Sequence, residues 1–221
     1  MLSIVIPCYN EAMSLPSLIE KCQGMVGDSA EIILVDNGSS DGTREILGPL
    51  EENESGLRSV RLQENAGYGG GILGGLEIAR GEVLGWTHAD LQTDPADVMD
   101  AYKIFIDHPE YPNCILKGRR VGRNPFDALF TTGMSVLSSI LLRERLSDVN
   151  AQPKMFHRSF LEKLPEPPLD FSLDLYLLYQ ARINGYPILE NSVRFSKRIY
   201  GEAKGGETLQ GKWKLIHRTW N

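Results

Sequence analysis

The chain lacks any run of about 18 apolar residues, the length roughly needed to cross a bilayer as a helix, so nothing in its 221 residues reads as a membrane span. Its three cysteines, Cys8, Cys22 and Cys114, are odd in number and without the paired spacing of a zinc site. They read as reduced thiols in a cytosolic protein. A basic excess is also missing: 23 Lys+Arg against 29 Asp+Glu give a formal net charge of −6. That balance argues against a general nucleic-acid binder, because neutralising phosphates needs a basic face. There are no internal repeats or low-complexity tracts, and no linker separates independent domains. The glycine run 67–75 does not match the Gly-x-x-x-x-Gly-Lys phosphate loop. Met1-Leu2-Ser3-Ile4 runs straight into a strand pattern, so no cleavable signal peptide is expected. What remains, 42% hydrophobic and 24% charged, suits a globular domain large enough to build a core.

Strand and helix patterns alternate through the first half. Ser3-Ile4-Val5-Ile6-Pro7 is a β-branched run that Pro7 ends. Leu15, Leu18, Ile19 and Cys22 follow a helical stripe behind Ser14, an N-cap candidate, with Pro16 in the first turn. Glu31-Ile32-Ile33-Leu34-Val35 is a second buried strand, followed by the turn 36–42, a short helix from Thr43, and the strand Ser59-Val60-Arg61-Leu62. A helix from about Gly70 to Arg80 is dense in glycine, at a cost of roughly 0.5–1 kcal/mol for each interior position. Close approach of its backbone to a ligand or to a neighbouring strand explains that cost; the alternative is simply a weak helix. The alternation predicts an α/β fold with a mostly parallel central sheet flanked by helices.

The second half is less regular. Asn113-Cys114-Ile115-Leu116 is a short strand leading into the basic segment 117–123. An apolar helix is expected from Phe126 to Leu142, and Ala151 to Phe156 reads as a strand. Leu173 to Asn184 is a helix with an acidic start at Asp170 and Asp174, ended by Gly185. Ile188-Leu189 and Val193-Arg194-Phe195 read as closing strands. The stretch 201–207, polar and glycine-rich, has the composition of a mobile loop.

Chemistry concentrates at 86–95. The apolar run Val83-Leu84-Gly85-Trp86 reads as a buried strand that ends in His88-Ala89-Asp90-Leu91-Gln92 before Pro95 opens a helix. Strand alternation places His88, Asp90 and Gln92 on one face at a carboxyl end, where open α/β sheets bind their ligands. An imidazole, a carboxylate and an amide oxygen suit an oxygen-preferring divalent ion that also holds a diphosphate. A strand-to-helix turn capped by Asp94 fits the same residues.

The order of these motifs resembles inverting family-two glycosyltransferases of the GT-A (Rossmann-like) fold. Val5-Ile6-Pro7-Cys8-Tyr9-Asn10-Glu11 is similar to that family's opening strand and loop. The segment from Ile33 through Asp36-Asn37-Gly38-Ser39-Ser40-Asp41-Gly42 to Thr43 is similar to its second nucleotide-binding turn, and His88-Ala89-Asp90 stands where the family has Asp-x-Asp. Gly118-Arg119-Arg120, the stretch from Ser147-Asp148 to Phe156, and Arg198-Ile199-Tyr200-Gly201-Glu202-Ala203-Lys204 bring the chain closer to dolichyl-phosphate mannose synthase and bacterial polyprenyl-phosphate glycosyltransferases. The resemblance covers about residues 1–206, read as one GT-A domain, with 207–221 a tail leading toward a membrane-proximal segment.

The resemblance implies a nucleotide-diphosphate sugar donor, GDP- or UDP-linked. Pro7, Tyr9, Asn10, Glu11, Asp36, Gly38, Ala66, Gly67, His88 and Ala89 would surround it. It also implies Mg²⁺ or Mn²⁺ held by Asp90, with Gln92 and His88 as further ligand candidates, to neutralise the leaving group. For Asp36, a turn-stabilising side chain is the plainer alternative. Two departures stand out: His88 replaces an acid, and Asn37 stands where a second Asp is common. Imidazole suits Mn²⁺ better than Mg²⁺, so His88 ligates, hydrogen-bonds the diphosphate, or faces the sugar.

The implied acceptor is a polyprenyl phosphate, whose ionised oxygen needs no general base. Lys117, Arg119 and Arg120 would hold that phosphate, with Arg198 and Lys204 closing over the diphosphates; a solvated basic turn is the alternative. A glycan hydroxyl acceptor would instead need a base, with Asp174 or Asp148 available. The catalytic set is thus Asp90, Arg120 and Asp174. Peripheral membrane association follows if helix 126–142 lies on a bilayer with Arg143 and Arg145 near head groups; otherwise that helix packs on the sheet. The expected location is the cytoplasm, at the cytoplasmic face of a membrane. A non-catalytic nucleotide-sugar-binding protein is the rival from another class.

Overall fold

The computed structural model describes residues 1–51, 53, 56–92, 96–122 and 147–194. The expected helix 126–142, Arg143, Arg145, Phe195, Arg198, Lys204, the tail 207–221 and the Asp94-Pro95 helix start lie outside the described residues.

The described residues build one seven-stranded sheet: β1 (Leu2–Cys8), β2 (Ala30–Asn37), β3 (Leu57–Leu62), β4 (Val83–Trp86), β5 (Ile115–Val121), β6 (Lys154–His157) and β7 (Ile188–Arg194). Their spatial order is β3-β2-β1-β4-β6-β5-β7. The pairs β1–β2, β1–β4, β2–β3 and β5–β7 are parallel, and β6 runs antiparallel to both its neighbours. This is the mostly parallel sheet expected from the alternation. The strand order reverses direction between β1 and β4, and such a switch point opens a crevice at the carboxyl ends.

Among the described residues, five α-helices accompany the sheet: α1 (Leu15–Gln23), α2 (Thr43–Leu47), α3 (Gly67–Ile78), α4 (Ala96–Ile106) and α5 (Leu173–Ile183). Period-two alternation sends Leu2, Ile4 and Ile6 of β1 into one core with α1 and α4. Val5, Ile33, Val35 and Leu84 enter a second core on the opposite face with α3 and α5. Both faces of the central strands are therefore covered, which is why β2 is buried along its whole length.

The glycine-dense helix α3 owes its composition to close packing. A Cβ on Gly75 would lie 2.8 Å from Val35 Cγ2 and nearer still to Val5 Cγ1, so only glycine lets this helix approach the sheet so closely. The helix starts at Gly67 rather than Gly70, because its first turn is seated against the backbone of 168–170; Gly70 N donates to Leu169 O at 2.9 Å.

Three expected boundaries move. The basic segment is not a turn: β5 runs on through Val121 because it is paired in parallel with β7 from Ile115↔Ile188 to Val121↔Arg194. The two closing strands are one, β7, carried through the polar Glu190-Asn191-Ser192 by that pairing. The strand expected from Ala151 begins only at Lys154, after Gly118 N donates to Pro153 O at 2.8 Å.

Candidate active site

Two loops at the carboxyl ends of β1 and β2 are tied together by side chains. Asn10 N donates to Ser39 Oγ (3.0 Å), and Asn10 Oδ1 accepts from Ser40 N (2.8 Å). Glu11 N donates to Thr43 Oγ1 (2.9 Å) and Ala12 N to Asp41 Oδ2 (3.1 Å). Asn10, through its backbone and side chain, and Glu11, through its backbone, thus shape and preorganise the rim. Gly38 adopts φ +68°, and a Cβ there would lie 2.5 Å from the Asn65 backbone. Pro7 lies beside the same face of α3, at Gly71, and Tyr9 is half-buried.

Asp36, 2% exposed, accepts from Ser39 N through Oδ1 at 2.9 Å. Its Oδ2 faces Arg61 Nε at 3.6 Å and has no hydrogen-bond partner. A buried carboxylate oxygen left without a donor is rare and calls for a ligand or water to satisfy it. Asn37 has a different task. Its Oδ1 accepts from Ala66 N (3.0 Å) and its Nδ2 donates to Gly67 O (2.8 Å), pinning the start of α3 to β2. An aspartate has no donor for that carbonyl, which is the physical reason an amide serves here. Ala66 and Gly67 are accordingly bound up with this junction.

The strand β4 ends at Trp86, so alternation does not carry His88, Asp90 and Gln92 onto one strand face. Instead the chain turns: Leu91 sits at φ +55°, and Asp90 Oδ1 accepts from Gln92 N at 3.1 Å. Ala89 and Leu91 pack down into the first core, leaving His88, Asp90 and Gln92 partly exposed on the turn. Burial lowers the His88 pKa below its usual value; Asp90 and Asp174 act against that shift, while Lys154 and Arg120 add to it. The imidazole is therefore biased toward its neutral form, in which one ring nitrogen carries a lone pair. No trio of His, Cys, Asp or Glu able to hold a metal occurs among the described residues. One carboxylate beside a neutral imidazole and an amide is a donor set that fits a cation most of whose ligands come from a diphosphate and water.

The basic strand divides its cations between two faces. Lys117, 2% exposed, pairs with Glu190 Oε1 at 2.9 Å directly across the β5–β7 ladder. Arg119 reaches Ser192 Oγ at 3.0 Å on the same face and is largely exposed. Arg120 points the other way, where Asp148 grips it: Arg120 N donates to Oδ2 and Nε to Oδ1, both at 2.8 Å, with Nη2 also on Oδ1. Burial would raise the Asp148 pKa, but the Arg120 hydrogen bonds hold it below the usual value. Of the three cations assigned to an acceptor phosphate, Arg120 is the one whose charge acts on His88.

Asp174, expected at the start of α5, is 2% exposed and sits at the hub of a buried network. Trp86 Nε1 donates to it at 3.0 Å, Tyr68 OH at 3.2 Å, Gln152 Nε2 at 3.0 Å, and Lys154 Nζ pairs with it at 3.3 Å. Lys154 also donates to Val149 O and Ala151 O, each at 2.7 Å. Burial pulls the Lys154 pKa down to about 8 despite Asp174. Tyr68, Gln152 and Lys154 were not singled out from the sequence. A lysine opening an apolar strand, Lys154-Met155-Phe156, and one tyrosine within a glycine run were the available signals.

The sequence profile of glycosyl transferase family 2 matches residues 3–165. The undecaprenyl-phosphate 4-deoxy-4-formamido-L-arabinose transferase of Yersinia enterocolitica is 41% identical over 229 residues, which cover 97% of this chain and 64% of that protein. The protein of the same description from Aeromonas hydrophila is 28% identical over 227 residues, covering 93% and 63%. The chain therefore spans less than two thirds of the length of these curated relatives. Among solved structures, glucosyl-3-phosphoglycerate synthase of Mycobacterium tuberculosis, in complex with Mn²⁺, UDP and phosphoglyceric acid, superposes with a TM-score of 0.70 at 21% identity, covering 91% of this chain and 72% of that one. A mannosyltransferase of Pyrobaculum calidifontis, in complex with GDP-Man and Mn²⁺, gives 0.66 at 19% identity, covering 98% and 60%. Both likenesses establish the shared fold.

Proposed function

The chain belongs to glycosyl transferase family 2, and on that premise we propose that it transfers a sugar, with inversion, from a nucleoside diphosphate to a polyprenyl phosphate. The observation that carries the acceptor class is the state of Asp174. Of the two carboxylates that could serve a hydroxyl acceptor as base, Asp174 is sealed from solvent and committed to Lys154, Trp86, Tyr68 and Gln152, and Asp148 is committed to Arg120. An acceptor that arrives as an anion needs no such base. The undecaprenyl-phosphate acceptor named for the relatives supports the same reading.

Each described residue then has a part. Asp36 offers Oδ2 to a donor on the base or ribose, replacing the partner it lacks. Asp90, with His88 and Gln92 beside it, would hold Mg²⁺ or Mn²⁺ on the diphosphate, and the ion supplies charge neutralisation at the leaving group. Arg120, held by Asp148 through Nε and Nη2, would bring its positive charge to the acceptor phosphate. One acceptor oxygen forms a bond to the sugar C1 as the bond from C1 to the diphosphate breaks. The products are a polyprenyl-phosphate sugar and a nucleoside diphosphate. No helix among the described residues is long and apolar enough to cross a membrane; the acceptor's lipid tail would bring the chain to the cytoplasmic membrane face.

The donor half is tested by Asp90→Ala. Turnover of UDP- and GDP-sugars should fall at least about a hundredfold, since several kcal/mol of leaving-group stabilisation are lost, with an unchanged circular-dichroism spectrum. Undiminished turnover in a folded variant would leave the metal assignment without support, and nucleotide binding without any turnover in the wild type would favour a non-catalytic binding protein.

A further inference from the structure

The wall beside His88 is built by a residue the reaction above leaves without a role. Tyr68, in the first turn of α3, stacks on Phe171 with ring centroids 4.9 Å apart and planes 10° from parallel. Its other neighbour is His88, at 5.8 Å and 34°. The phenol is fixed as well: it donates to Asp174 Oδ2 at 3.2 Å and accepts from Gln152 Nε2 at 3.0 Å. Asp174 is itself held by Trp86, two residues before His88 in the chain, and by Lys154. A phenylalanine would fill the same space without any buried polar group to satisfy. Spending a buried carboxylate and an amide contact on one hydroxyl makes physical sense when the place of that ring matters to its neighbour.

We propose that Tyr68 is a positioning residue, whose ring, anchored by Asp174 and Gln152 and braced by Phe171, sets the orientation of the His88 imidazole beside Asp90. The functional weight of this inference rests on reading the His88–Asp90 turn as the donor diphosphate site. Tyr68 touches neither substrate nor metal in this account; it acts through His88.

The test is nuclear magnetic resonance of the full chain with ¹³C/¹⁵N-labelled histidine, the His88 ring signals being identified by their loss in His88→Gln. Tyr68→Phe keeps the ring and removes the hydroxyl, while Gln152→Leu removes one of its two anchors. Both should shift and broaden the His88 signals and leave those of His108 and His157 in place. The thermal midpoint should fall by only about 2–4 °C, the worth of one hydrogen bond in a chain this long. His88 signals unchanged in both variants, or all histidines shifting together, would overturn the positioning role. In the wild type, Mn²⁺ added with UDP should broaden the His88 signals selectively. Absence of that effect would overturn the donor-site reading on which the role depends, whatever the two variants show.

Discussion

At the amino end of β2, Glu31 is 4% exposed and both its carboxylate oxygens are taken. Ser3 Oγ and Arg80 N each donate to Oε1 at 2.6 Å, and Arg58 holds Oε2 at 3.0–3.1 Å. Burial raises its pKa, yet these donors hold it below the usual value. At the carboxyl end of the same strand, Asp36 is 2% exposed, and one of its oxygens has no hydrogen-bond partner. One strand thus buries two carboxylates for opposite ends. Glu31 closes the base of the fold, where Arg58 and Arg158 also cap the last carbonyls of α3 at Ile78 and Ala79. Asp36 keeps one oxygen with only Arg61 Nε near it, at 3.6 Å, which is why that oxygen is given to the nucleotide in the proposed function. The difference teaches that charge and burial alone do not mark function here; the unfilled hydrogen bond does.

The sharpest way to break this comparison is to delete each carboxylate. Glu31→Ala should lose roughly 3–5 kcal/mol in denaturant unfolding, because Arg58 stays buried without its partner. Asp36→Ala should lose only about 1–2 kcal/mol, the worth of the Ser39 contact and of the partly exposed Arg61 ion pair, while its affinity for UDP or GDP drops about tenfold or more. Equal stability losses would erase the distinction between closed and open ends.

A second comparison lies within the site, between Arg120 and Asp174. Arg120→Ala should raise the acceptor KM or lower kcat by about 10- to 150-fold, corresponding to roughly 1.5–3 kcal/mol for a charge-assisted contact. Asp174→Asn should mainly lower the melting temperature, through the loss of Lys154's counter-charge, and leave turnover within about tenfold at low temperature. A silent Arg120→Ala beside a dead but folded Asp174→Asn would mean a hydroxyl acceptor and a general base.

The smallest expected effect concerns pH. Lys154 has a folded-state pKa of about 8 against 10.5 for the free side chain, so between those values the unfolded chain binds the proton and the folded chain does not. Its contribution to stability therefore rises as pH climbs from about 8 toward 10.5, and below 8 the buried ammonium is a constant cost. Wild type should gain stability relative to Lys154→Met between pH 7.5 and 9.5, as read by urea midpoints. A flat difference would mean that Asp174 keeps Lys154 charged throughout.

Much of this architecture was legible in the residues. The β-branched runs of β1 and β2 and the Asp36 turn stand where their patterns put them, because local periodicity and turn chemistry decide such elements. The segment Lys117–Arg120 was not legible as strand, since the Glu190 that neutralises Lys117 comes from a distant part of the chain. His88, Asp90 and Gln92 lie along a turn at Leu91 rather than on one strand face. Asp174 drew notice as a free acid at a helix start; only the fold shows it walled in by Trp86, Gln152 and Lys154.

The central claim, that this site moves a sugar onto an acceptor which brings its own negative charge, is tested most directly by offering one lipid in two forms. Purified protein with Mn²⁺ and a panel of UDP- and GDP-sugars would be given undecaprenyl phosphate or the parent undecaprenol in identical detergent. Transfer to the phosphate and none to the alcohol is the expected result. Equal transfer to both, or transfer only to a glycan hydroxyl, would contradict it.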